Sequence, residues 1–428
     1  MLFVADLHIH SKYSRATSPR MDLENLYKWA QMKGIRVIAT GDFTHPAWFA
    51  ELKSKLIPAE EGLFKLRPEI EEKSASDVPI SCRSDVRFML TSEVSSIYSV
   101  GGRCRKVHNL LAAPSFEIVA EINRRLGMIG NLASDGRPIL GLASDKLAEI
   151  VFGISDDVVL VPCHAWTPHF SVFGSESGFD SLEECFNKWT DKIFAIETGL
   201  SSNPAMNWRL SQLDDITLIS NSDSHSLPRI GREANVFDTE LSFAAIWDAV
   251  KAKDPKRFLF TIEFFPEEGK YHYDGHRNCN ASFSPKETLE HKGICPVCGG
   301  KMTIGVLSRV SELADRPEGF VPERHIPYKS LVPFDQVIAD VLGIADTSVK
   351  VHTEYMKLIS ALGNELRILL KTSIEDIARV SDKKIADGVF NVRNGKLKII
   401  PGYDGEYGKV KIFSAIIVED ENAQASLF

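Results

Sequence analysis

No apolar stretch in the chain approaches the roughly 20 residues that cross a bilayer, so a membrane-spanning helix is not expected. The N-terminus runs directly into Leu2-Phe3-Val4, with no basic segment followed by a signal-peptide core, so the expected location is the cytoplasm. Internal repeats and low-complexity tracts are also missing, which excludes repeat arrays. Positive charge is not in excess. The formal net charge of −8 argues against a general nucleic-acid coat protein, although it leaves room for local basic surfaces. Nor is there a disulfide framework. The 7 cysteines are odd in number, and Cys82, Cys104, Cys163 and Cys185 are scattered among apolar neighbours as reduced thiols.

What the sequence has is a set of hydrophobic runs, each ending in a potential metal ligand. The chain opens Val4-Ala5-Asp6-Leu7-His8-Ile9-His10, and further runs end at Asp42, Glu93, His164 and Asp223-Ser224-His225. His8 and His10 alternate with apolar residues, so on a strand they point to one face, and Asp223 and His225 repeat the spacing. A buried imidazole or carboxylate is costly without a partner, and one cation is the simplest partner common to them all. Imidazole mixed with carboxylate suits Zn²⁺, Mn²⁺ or Fe, and so dense a set points to more than one ion and to metal-assisted hydrolysis.

With 428 residues, the chain is expected to form two or three domains. Up to residue 265, apolar runs alternate with helical patterns. Strands are expected at Leu2–Leu7, Val37–Thr40, Phe88–Ser92, Val107–Ala112, Val158–Cys163, Ile193–Thr198, Thr217–Ser220 and Phe258–Ile262. Such alternation implies parallel pairing, and ligands at run ends favour an α/β barrel with its site at the C-terminal strand face. Residues 266–305 carry His276, Cys279, Cys295 and Cys298 in an H-x₂-C…C-x₂-C pattern with a Cys-Pro-x-Cys-Gly-Gly knuckle, which reads as a closed structural zinc site. His272 and His291 compete with His276 for the fourth position. Residues 306–418 read as a helix-rich α+β region with strands at Lys396–Ile400 and Lys409–Val418, and 419–428 as a flexible tail.

Asp6-Leu7-His8-Ile9-His10-Ser11, Thr40-Gly41-Asp42, Glu93, His108, His164 and Asp223-Ser224-His225 together resemble the ordered motifs of the PHP (polymerase and histidinol phosphatase) superfamily. The resemblance implies a distorted α/β barrel in which His8, His10, Asp42, Glu93, His108, His164, Asp223 and His225 hold two or three divalent ions (Zn, Mn or Mg). It also implies phosphoester hydrolysis. Many members have Thr-Asp-His where this chain has Thr40-Gly41-Asp42; His45 is an alternative ligand nearby. Among the residues with direct catalytic roles are Asp223, Glu93 and His225, with His225 or His169 as proton donor to the leaving group.

The knuckle, Arg309-Val310-Ser311-Glu312-Leu313-Ala314-Asp315-Arg316, Glu197-Thr198-Gly199-Leu200-Ser201-Ser202 and Gly363-Asn364-Glu365-Leu366 extend the likeness over nearly the whole chain, which resembles the endonuclease Q family. That implies a DNA repair endonuclease that nicks 5′ of deaminated bases (uracil, hypoxanthine, xanthine) and abasic sites, with the lesion base extruded into a pocket. The alternative is a PHP-type phosphatase, or a nuclease of undamaged or flap DNA. Trp166, Phe170, Glu197, Arg309, Arg316 and Lys371 are candidates for base or DNA contact, with Phe173 and Tyr328 as further stacking candidates. Basic residues including Lys396 and Lys398 make the C-terminal half richer in potential phosphate contacts. Gln424-Ala425-Ser426-Leu427-Phe428 resembles a sliding-clamp-binding peptide, with Gln424, Leu427 and Phe428 as its anchors. A monomer is expected.

Overall fold

The computed structural model describes residues 1–413. Its centre is a mixed sheet. In order, Tyr328–Ser330, Phe258–Glu263, Ala234–Asp238, Leu2–Asp6, Val37–Ala39 and Arg87–Val100 lie side by side, and the last of these pairs with Arg103–Ala113, which pairs with Val159–Pro162. A separate parallel pair, Ala195–Glu197 with Thr217–Ile219, stands beside it. Loop bonds carry the closure there. Ala165 N–H donates to Glu197 O at 2.9 Å, and the Asn221 side chain accepts from Leu7 N–H at 2.8 Å. The result is the distorted α/β barrel that the sequence implies.

Parallel pairing holds only in part. Leu2–Asp6 runs parallel to Val37–Ala39 but antiparallel to Ala234–Asp238, a strand not among those expected. The longest antiparallel ladder, Arg87–Val100 with Arg103–Ala113, turns through Gly101-Gly102, both with positive φ (58° and 76°). A two-residue turn of this hand needs glycine, and it matches the twist of the strands it joins. Inside the barrel Leu7, Val37, Met89, Leu110, Val161, Ile219 and Phe237 form one apolar cluster, so the barrel is filled and any site lies at its mouth.

Beyond residue 265 a small module around Asp274–His276 and Ala281–Phe283 leads to the helices Phe334–Leu342, Val349–Leu362, Glu365–Leu370, Ile374–Val380 and Lys383–Arg393. The helices are anchored on the barrel by a buried ion pair, Lys33 Nζ to Glu365 Oε2 at 2.6 Å. Glu365 also accepts from Tyr355 Oη at 2.8 Å and from the Phe334 amide at 3.2 Å, so its charge is fully hydrogen-bonded. A second anchor is Arg229, which pairs with Asp335 and Asp346. A ribbon, Lys398–Ile400 with Lys409–Lys411, ends the described chain. The remainder of the expected last strand and the peptide anchors Gln424, Leu427 and Phe428 lie outside the described residues. Among the described residues no helix is long and apolar enough to cross a membrane.

Candidate metal centre

The ligand candidates sit where chain leaves strand. His8 and His10 follow Leu2–Asp6, Glu93 lies within the long strand, and His108 faces it from the partner strand. His164 and Asp223 follow short inner strands. Asp42, His164 and Asp223 have positive φ (51°, 31° and 45°), a conformation that non-glycine residues rarely adopt and that clusters at functional sites. Asp6 accepts from the amides of Ser222 (3.1 Å) and Gly231 (2.9 Å), pinning the loop that carries Asp223 and His225.

Two groups of ligand atoms meet at Glu93. His8, His10, Glu93 and Asp223 form one and Glu93, His108 and His164 the other, the atoms of each lying within 4.8 Å of one another. His10 Nε2 is 3.1 Å from Glu93 Oε2 and 3.0 Å from Asp223 Oδ1. Glu93 Oε1 lies 2.6 Å from His108 Nδ1 and 3.1 Å from His164 Nε2. Glu93 is thus the carboxylate common to both groups. Although burial opposes its charge, His108 and Arg137 hold its pKa well below the usual range, so it is ionised. His108 is pushed down to about 4, chiefly by burial, and so presents the neutral imidazole that binds metal.

The fit to metal rests on unpaired atoms. His8 Nε2, His10 Nε2 and Asp223 Oδ1 are buried, face one point and have no hydrogen-bond partner. Neutral or ionised, such atoms are expensive to bury alone, and a cation between them removes the cost. The opposite edges of the two rings are engaged. His8 Nδ1 lies 3.0 Å from Glu197 Oε2, and His10 Nδ1 lies 3.0 Å from Asp42 Oδ1. A carboxylate on the far nitrogen fixes the tautomer and aims the other nitrogen at the ion.

Two expectations are corrected by this arrangement. Asp42 does not join the ligand atoms, because it also accepts from Ser11 N, Ser11 Oγ and Ser14 Oγ and stands behind His10. Glu197 does not face DNA. It is buried, and its oxygens are taken by His8, the His164 amide and Asn221. His225 lies beside the centre, its ring 4.3 Å from that of His10 and its Nδ1 2.9 Å from the Asp223 carbonyl. His45 occupies the N-cap position of the helix Pro46–Lys55 without a side-chain capping bond, and its ring stacks on Tyr13.

In the small module His276, Cys279, Cys295 and Cys298 converge, with His276 Nδ1 3.1 Å from Cys279 Sγ and 3.3 Å from Cys298 Sγ. Burial raises the Cys295 pKa, but the amides of Cys298 and Val297 outweigh it and bring the thiol down to about 7. His272 lines a different cavity, and His291 packs edge-on against Phe283, so neither competes for this site.

A cavity of about 510 Å³ opens over the barrel centre, lined by His108, His164, Asp223, Arg137, Phe170 and exposed His169 among others. A second, of about 760 Å³, shares Thr167, His169, Phe170, Leu200 and Ser201 with it and adds Phe264, Lys270, Tyr271 and Tyr407. The chain matches the crystal structure of the lesion-specific endonuclease Q from Pyrococcus furiosus at 31% identity, covering 97% of this chain and 98% of that one, with a TM-score of 0.83. The chain belongs to the endonuclease Q family. A structure of endonuclease Q with a 27-mer duplex bearing an abasic lesion at the active site is 32% identical over 99% of this chain and 100% of that one, with a TM-score of 0.82. The MJ0043 C-terminal domain family matches residues 333–396. Uncharacterized protein MJ0043 of Methanocaldococcus jannaschii is 32% identical over 58% of this chain, which spans only 31% of that relative's length.

Five of the six expected DNA contacts are placed elsewhere by the structure: Glu197, as above, and Trp166, Arg309, Arg316 and Lys371. Trp166 is buried and donates to Asn207 Oδ1 at 2.7 Å, beside the equally buried Phe173, so neither ring is open to a base. Arg309 is buried and saturated by the Phe173 and Phe179 carbonyls, Asp180 and Glu312. Arg316 is forked onto Asp214. Lys371 lines a groove with Met1–Val4, at the start of the strand whose other end carries His8 and His10. Tyr328 packs on Trp208. Phe170 alone among the stacking candidates lines the cavity, its ring 4.8 Å from that of His108. Sequence reading missed Arg137, whose Nη1 is 3.1 Å from Glu93 Oε2 while part of the side chain meets solvent. The turn Asp135-Gly136-Arg137-Pro138 was its only signal.

Proposed function

We propose that the protein is a metal-dependent DNA repair endonuclease that cleaves the phosphodiester on the 5′ side of a deaminated base or abasic site. The observation that supports this most is the joining of two ligand groups by one carboxylate at the floor of a cavity, in a chain that matches endonuclease Q from end to end. His8, His10, Glu93, Asp223, His108 and His164 would hold divalent ions, which when bound would supply Lewis acidity and lower the pKa of water towards neutrality.

The chain's own groups do the rest. Glu93 holds the two ligand groups at fixed spacing. Arg137, its charge directed by Glu93, reaches the cavity and can hold a non-bridging phosphate oxygen, where a fixed cation is worth most in the transition state. His225, whose pKa burial lowers, is neutral at pH 7 and suited to relay a proton. His169, on the cavity rim, is the alternative donor. Phe170 offers a stacking face for an extruded base, and the joined cavities give it room.

The proposed ion set is two or three divalent ions in the barrel, Zn, Mn or Mg, and one Zn in the knuckle. The unit boundaries are 1–265, 266–305, 306–418 and 419–428. The working form is a cytoplasmic monomer, with the terminal peptide docking on the sliding clamp. The test is Asp223→Asn. It is expected to abolish nicking of a uracil- or abasic-site duplex while leaving the DNA dissociation constant within about threefold. Nicking at wild-type rate would overturn the assignment.

A further inference from the structure

The ribbon Lys398–Ile400 and Lys409–Lys411 carries an unusual pairing. Lys398 lies directly opposite Lys411, and Ile400 opposite Lys409. Directly opposed residues of an antiparallel pair share a face, and like charges there are destabilising unless something negative relieves them. Val410, between the lysines, points the other way and packs on the core. The outer face is therefore Lys398, Ile400, Lys409 and Lys411, all exposed. Lys411 is 3.1 Å from Asp340, and nearby Asp346 is taken by Arg229. Among the described residues neither Lys398 nor Lys409 has an ion-pair partner.

The position of the ribbon is fixed. Its connecting loop donates from Gly402 to Glu267 O (2.8 Å), from Gly405 to Lys270 O (2.9 Å) and from Gly408 to Glu268 O (3.1 Å). Asp404, in the same loop, accepts from Arg277 N (2.7 Å) and Thr303 Oγ1 (2.6 Å) of the knuckle module. Tyr407, 71% exposed, and Gly408 then line the 760 Å³ cavity, with Lys270 lying over the Tyr407 ring at 5.9 Å. The ribbon's loop thus ties the strands of Lys398 and Lys409 to Lys270 and to a cavity that shares lining residues with the one over the metal centre.

We infer that the outer face of this ribbon, with Lys270 and Tyr407 at its inner end, seats the phosphate backbone of the DNA strand leading to the cleaved bond. The inference rests on the nuclease reading and names the surface it uses. Asp340 offsets Lys411 alone, so a polyanion is the partner that suits the remaining charges of the face, Lys398 and Lys409. Lysines without carboxylate partners supply charge for counterion release without breaking internal pairs. The exposed Tyr407 ring gives a base or sugar a stacking face at the cavity.

The experiment measures binding of a fluorescent lesion-bearing duplex across a salt series without divalent ion, and nicking separately at saturating enzyme with Mg²⁺ or Mn²⁺. The full-chain variants are Lys398→Ala/Lys409→Ala, Lys398→Arg/Lys409→Arg and Lys383→Ala/Lys384→Ala, the last altering exposed lysines on the helix Lys383–Arg393. The first is expected to lower the slope of log K against log salt by about 2 and to weaken binding at least about tenfold at low salt. Its nicking rate at saturation is expected to stay within about twofold. The arginine pair is expected to restore binding, and the helix pair to leave it unchanged. An unchanged slope in the alanine pair, or equal losses in the helix pair, overturns the ribbon. Wild-type protein that binds through the ribbon yet nicks no lesion duplex supports the ribbon and overturns the nuclease reading instead.

Discussion

The Asp42 carboxylate sits 3.0 Å from Nδ1 of His10, on the side of the ring away from Asp223. This relationship explains the Thr40-Gly41-Asp42 departure. Position 42 faces the far edge of the His10 ring and not the converging ligand atoms. A carboxylate held by Ser11 and Ser14 instead directs a ligand already present, as Glu197 directs His8. Ligand orientation of this kind typically carries 10–100-fold in metal affinity. Asp42→Asn is therefore expected to raise the Mn²⁺ concentration for half-maximal nicking by about 10–100-fold, with near wild-type rate at saturating ion. A variant dead at every Mn²⁺ concentration would make Asp42 a direct participant.

Gly41 is required by the same turn. Its φ is +61°, and a Cβ there would lie 2.4 Å from the carbonyl oxygen of Ile9, between the two histidines. Gly41→Ala is expected to cost roughly 2–4 kcal/mol in urea unfolding and to lower nicking more than tenfold. Wild-type stability would show that the turn tolerates a side chain.

Glu263 couples stability to pH. Burial, its largest influence, raises its pKa to about 7, and buried Glu233 nearby is likewise raised well above normal. Its folded pKa exceeds the unfolded value near 4.5, so the contribution is full below that value and is lost as pH rises through about 7. Glu263→Gln, which mimics the protonated acid, is expected to flatten the fall in thermal midpoint between pH 5 and 8. The gain at pH 8 is on the order of 2 kcal/mol, from about 1.36 kcal/mol per pKa unit. An unchanged pH slope would remove Glu263 as its source.

Trp166 and Phe170 separate packing from substrate contact. Trp166→Phe breaks the buried bond to Asn207 and is expected to cost about 1–3 kcal/mol of stability with kcat/KM on lesion DNA little changed. Phe170→Ala is expected to do the reverse, lowering kcat/KM about tenfold or more by loss of a stacking face. Opposite results in the two variants would return the pocket wall to Trp166.

Much of this was legible in the chain because burial leaves a period. The runs before His8, Asp42, His164 and Asp223 are inner strands, and a ligand or, at Asp42, a ligand-orienting carboxylate follows where each strand stops. Antiparallel pairing was less legible. Gly101-Gly102 is its local signal, but the strands on either side run longer than the short apolar runs that mark them. The roles of Arg309, Arg316 and Glu197 were not legible at all. Whether a charged side chain meets DNA or a carboxylate from a distant segment depends on contacts made only in the folded state, such as Arg309 with Asp180 and Arg316 with Asp214. The ligand cluster and the orienting carboxylates differ in the same way: both end or follow strands, and only geometry shows which face the centre.

The most direct test of the account incubates the purified full chain with a labelled duplex holding a single uracil, hypoxanthine or abasic site, with Mg²⁺ or Mn²⁺, beside the same duplex undamaged. The account predicts one nick immediately 5′ of the lesion, abolished by chelation and by Asp223→Asn, with the undamaged duplex intact. Equal cutting of both duplexes, or hydrolysis of phosphomonoesters alone, would contradict it.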